Sequence, residues 1–217
     1  MPLSPPAARQ QLHTRRVVCQ GFFRDDGLWD IEGRITDEKS YVHANEWRGP
    51  LAPGDFVHDM TIRLTLDDKL TIVDVEAVTD KSPYQMCGDI APDFKKLIGL
   101  RIGGGFHREV RTRLGGVHGC THIVELLGPV ATTAFQTVSS RKAQELNRAQ
   151  REKMGGPPAK TDAASAKPRR KPYMIDNCHA WASDSEVVKR WVPDFYTGPD
   201  AEAVRAAAAG KTIEMEG

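Results

Sequence analysis

No apolar run in the 217-residue sequence approaches the roughly 18 residues that a membrane-crossing helix requires. Its first residues, MPLSPPAARQQLHTRR, lack the apolar core of a secretion signal. Together these absences set a cytoplasmic protein with no membrane partner as the expectation. Charge of one sign is missing too. Thirty Lys and Arg stand against 29 Asp and Glu, a formal net charge of +1, so no broad field draws the chain to nucleic acid. A small-molecule substrate is the partner class left, with the oligomeric state open. Cysteine is scarce: Cys19, Cys87, Cys120 and Cys178 are scattered and form no C-x-x-C pair, which excludes a disulfide framework and a standard zinc-finger motif. The GGG at 103–105 lacks a following Lys-Ser/Thr, which excludes a phosphate-binding loop.

What is present is patterned. VVCQGFF (17–23) and LWDIEGRIT (28–36) flank the turn residues RDDG and read as a hairpin. In HDMTIRLTLDDKLTIVDVEAV (58–78), apolar residues alternate with polar ones on both sides of a DDK turn, the signature of a second hairpin. Asp89 suits the cap of a short helix running to Leu97 and ended by Gly99. From Thr121, Ile123, Leu126, Leu127, Val130 and Ala134 form a helical stripe, which Pro129 should kink or divide. The expected fold is α+β, an antiparallel sheet of two hairpins with helices packed on one face. Residues 1–14 read as a disordered arm, 15–150 as the main domain and 151–171 as a flexible basic linker. Residues 172–200, with strand-like runs around ASDS, read as a docked hairpin-like appendage, and 201–217 as a tail.

Chemistry concentrates at GGVHGCTHIVELL (115–127). Cys120 precedes a helix, where the positive end of the dipole favours a thiolate, as a nucleophile or a soft metal ligand requires. His118 and His122 bracket it. In an extended segment all three side chains share one side, but His122 reaches a common pocket only if the helix starts at or after it. Cys87 also lies in a turn before a helix, and His58, beside Asp59, opens the strongest strand. The expected metal ligands are therefore Cys87, Cys120, His58 and His118, with Cys120 and His122 as the catalytic pair. Arg108, Arg111 and Arg113 form a basic run for an acidic group on a substrate. Cys178 and His179, adjacent in a strand-like run, would point apart, and Cys19 reads as a packing residue.

Taken together, CQGFFRDDGLWDIEGRITD, HDMTIRLTLDDKLTIVDVEA, GGVHGCTHIVELLGPVATTAFQT and DNCHAW resemble a bacterial family of unknown function with a GCTH(I/L)xELL signature. That family is often found beside genes for catabolism of aromatic or related compounds. The order of hairpin, turn cysteine, helix and glycine-bounded cysteine opening a long helix is also similar to the NifU/IscU-type iron–sulfur scaffold fold. That resemblance places His58 or Asp59 at the first ligand region, Cys87 at the second, and Cys120 with His118 at the third. A cluster needs thiolate-rich ligation, and no cysteine occupies the first region, so a mononuclear zinc or iron site fits better, with the cluster left as a remoter option.

Three functions follow as expectations. One is a metal-binding protein of small-molecule catabolism acting as a hydrolase or lyase. Another is a cofactor-free enzyme with Cys120 as nucleophile. The third is a non-catalytic scaffold or accessory protein for metal or sulfur.

Overall fold

In the computed structural model, which describes residues 3–154, 171–172 and 174–210, the chain divides into two compact units, Met1–Gly156 and Pro157–Gly217. The first is built on four strands, β1 (His13–Phe23), β2 (Trp29–Lys39), β3 (Phe56–Leu66) and β4 (Ile72–Lys81). All neighbours are antiparallel, in the order β1-β2-β3-β4. The hairpin read from the RDDG turn and the one read from alternation are both present, so the α+β class and the antiparallel sheet hold. β1 begins at His13, four residues before the strand expected at 17–23, and residues 13 and 14 belong to the sheet rather than to an arm.

Side chains of successive strand residues point to opposite faces, and the register sorts them. Trp29, Ile31, Gly33, Ile35 and Asp37 of β2 lie opposite Leu66, Leu64, Ile62, Met60 and His58 of β3. Apart from the half-buried His58, these residues are all buried. The intervening residues carry ion pairs instead: Arg34 with Asp59, and Arg63 with Glu32 and Glu76.

The sheet's apolar face is covered by helices. Gln85–Leu97 winds as a 3-10 helix rather than a short α-helix capped at Asp89. It buries Phe94 and Leu97 and closes at Gly99, whose φ of 86° is the left-handed conformation glycine tolerates. α1 (Phe106–Leu114) adds Phe106, Val110 and Leu114 to the core. α2 (Thr121–Met154) crosses the sheet, burying Ile123, Leu126, Leu127, Val130 and Ala134. It runs undivided through Pro129 and takes up residues 151–154, expected as linker. Two glycines set its height: a Cβ at Gly33 would lie 2.4 Å from Val130 Cγ2, and one at Gly21 would lie 2.1 Å from Thr137 Oγ1. Bare backbone at these positions lets the helix lie close against β1 and β2.

The second unit is helical where it is described, which corrects the hairpin-like reading of residues 172–200. α3 (Glu186–Trp191) and α4 (Ala201–Gly210) accompany 3-10 turns at His179–Trp181 and Pro193–Phe195. EVVKRW resembles a strand by its adjacent valines, but the Ser185 hydroxyl accepts the Val188 N–H at 3.2 Å and caps a helix. Ile175, Val188 and Tyr196 form its small core, with Trp181, Val192 and Phe195 packed around them. Most of the linker expected at 151–171, and the end of the tail, lie outside the described residues. No described helix is long and apolar enough to cross a membrane.

Candidate metal centre

At one end of the covered face the apolar rows give way to a polar row. Arg15, Asp37 and His58 stand side by side across β1, β2 and β3. The register is irregular on both sides of His58, between Asp37 and Glu38 of β2 and between Asp59 and Met60 of β3. Such bulges bend a strand and re-aim its side chains, and they are over-represented beside active sites.

Asp37 is the hub, its side chain 1% exposed. Oδ1 accepts from His13 Nε2 at 2.9 Å and Arg15 Nε at 2.8 Å; Oδ2 accepts from Arg15 Nη2 at 2.9 Å and His58 Nδ1 at 3.0 Å. Burial alone would raise the carboxyl's pKa, but hydrogen bonding and the charge of Arg15, helped by His13 and His58, bring it down to about 2. The remaining arm of Arg15 reaches Glu125 Oε2 on α2 at 2.8 Å and ties the helix to the row.

The first turn of α2 brings His122 over His58, with ring centroids 3.8 Å apart and planes inclined by 32°. Burial lowers the pKa of both rings. His58 is pushed down further by His122, and His122 by Arg15, against the opposing pull of Asp37. Both imidazoles are thereby biased to the neutral form that coordinates a metal.

Asp37, His58 and His122 each offer a ligand atom within 4.8 Å of the others, the one such group of three or more among the described residues. Cys120 borders it. Its thiol lies 3.7 Å from Met60 Sδ and 4.0 Å from His122 Nδ1. The helix starts at Thr121, before His122, yet the two side chains still meet. Cys120 is the cap, its carbonyl accepting the Val124 N–H at 2.9 Å, and a cap residue does not follow helical side-chain spacing.

The remaining sequence candidates stand elsewhere. Cys87 is half-buried in the 3-10 helix, and His118 is exposed in the turn before α2; neither joins the group of three. Asp59 faces away from His58 and pairs with Arg34 at 2.6 Å. Arg108 and Arg111 are exposed on α1, and Arg113 donates to the Lys96 carbonyl at 2.7 Å. Cys178 and His179 are exposed in the second unit. Cys19 packs against the core, and burial raises its thiol. Sequence reasoning passed over Asp37, Arg15 and His13. The signal for Asp37 was an acidic residue at the next inward position after Trp29, Ile31, Gly33 and Ile35.

The profile of a protein family of unknown function, DUF2889, matches residues 13–136, from the first residue of β1 to the middle of α2. The chain belongs to this family. The DUF2889 region includes the whole polar row, His122 and Glu125. Comparison with curated proteins and with solved structures found no match.

Proposed function

We propose that this DUF2889 protein binds a single divalent metal ion, zinc or ferrous iron, at His58 and His122, with Asp37 beside them. The observation that carries this reading is the convergence of two half-buried imidazoles with depressed pKa on one buried carboxylate. Two imidazoles with a nearby carboxylate are a donor environment for zinc or non-haem iron, and positions left open serve water or a substrate oxygen. The chemistry available is Lewis-acid activation of water or polarisation of a carbonyl, as a hydrolase or lyase of small-molecule catabolism would use. We place it in the cytoplasm, where its free thiols stay reduced.

The nucleophile alternative has one observation in its favour, the 4.0 Å approach of Cys120 to His122. A triad would need the carboxylate to orient that histidine, yet Asp37 bonds His58 and His13. The NifU/IscU-like scaffold alternative needs several thiolates, and the group of three contains none.

Titration of chelator-treated protein with zinc or cobalt(II) tests the reading. One ion per chain is expected, with affinity reduced at least about 100-fold in His58→Ala and in His122→Ala. Stoichiometry well below one, or binding indifferent to both substitutions, overturns it. The cobalt spectrum also decides whether the Cys120 thiolate joins, since a sulfur-to-cobalt charge-transfer band must then vanish in Cys120→Ser.

A further inference from the structure

We infer that Asp37 is the positioning residue of this site, holding His58 as the Nδ1–H tautomer so that Nε2 is the nitrogen offered to a metal. This rests on the metal reading above. Four donor contacts converge on the carboxylate, two on each oxygen, from His13, Arg15 and His58. A carboxylate has about four lone-pair sites, so its accepting capacity is filled. The two-pronged Arg15 contact keeps it ionised, and an ionised carboxylate accepts hydrogen bonds without donating any. Nδ1 of His58, 3.0 Å from Oδ2, must therefore carry the hydrogen. A neutral imidazole has one N–H, so Nε2 holds a bare lone pair.

The alternative makes Asp37 itself a ligand. The ion would then have to displace a donor from the carboxylate and lie against the Arg15 cation. A carboxylate–histidine–metal arrangement keeps all four contacts and raises the basicity of the coordinating nitrogen. The burial order agrees: Asp37, 1% exposed, lies deeper than His58, whose side chain is 15% exposed.

The test is nitrogen-15 NMR of the full chain labelled at histidine, with and without zinc, at about pH 7.5, where an ordinary histidine is neutral. The metal-free protein should show His58 protonated at Nδ1, and zinc should shift its Nε2. Protonation at Nε2 without metal, or zinc coordinated at Nδ1, overturns the inference. In Asp37→Ala, no acceptor faces Nδ1, so the preference for the Nδ1–H tautomer should be lost and zinc affinity should fall about 10- to 100-fold. A folded Asp37→Ala with unchanged tautomer and affinity also overturns it. If that variant does not fold, the wild-type spectra decide. Absence of zinc binding to wild-type protein sinks the metal reading, while the metal-free spectrum still judges the tautomer.

Discussion

Asp37 carries ionised burial at this site, and the consequences are measurable as pH dependence. Its folded pKa of about 2 lies below the ordinary 3.8. The stabilisation it provides is complete above the ordinary value and is lost as pH falls from about 4 through 2, amounting to at most about 2.5 kcal/mol. The histidines act earlier. His58 and His122 have folded pKa values below 6.5, so the unfolded chain takes up protons first, and stability declines as pH drops below about 6.5. Urea unfolding should therefore show two descending limbs, the upper one missing in His58→Gln/His122→Gln and the lower one reduced in Asp37→Asn. Asp37→Ala, which leaves Arg15 with Glu125 alone and removes the acceptor of two histidines, should cost about 2 kcal/mol by the same measurement. Among the residues of the site, His58 was legible because it stands at the start of an alternating strand, and His122 because it flanks Cys120 where a helical stripe begins. Asp37 was not, since its role depends on which residue of β3 lies opposite. No tight turn fixes that register, because β2 and β3 are joined by residues 40–55.

At the scale of elements, the fit of α2 against the sheet depends on bare backbone. Gly33→Ala puts a methyl group 2.4 Å from Val130 Cγ2 and must lift the helix or shift the side chain. A loss of about 1 to 3 kcal/mol is expected, partly restored by Val130→Ala, which removes the opposing methyls. A full additive loss in the double variant would show that the two positions do not press on each other. His122 and Glu125 sit on the same helix, so lifting it should weaken zinc binding as well. The second hairpin was readable because alternation with a turn admits few other structures, and the first because β-favouring residues flank the RDDG turn. The second unit was harder: EVVKRW is short, and its helical state rests on one serine cap that adjacent valines argue against.

For the whole molecule, the family match at 13–136 falls inside the first unit, as do all residues of the polar row. A fragment ending at Gly156 should therefore unfold cooperatively and bind zinc with the affinity of the full chain, as judged by calorimetry; a much weaker fragment would show that the first unit alone does not suffice for binding. The strand register has one further consequence. Sliding β2 by a single residue would turn Asp37 outward and leave Thr36 or Glu38 facing β3's histidine, with the apolar residues exposed. Asp37, His58 and His122 thus meet once β2 has paired with β3 in native alignment and the long helix has landed on them. Cobalt absorbance during refolding would act as a clock for that last event, lagging behind the far-ultraviolet signal of strand and helix formation.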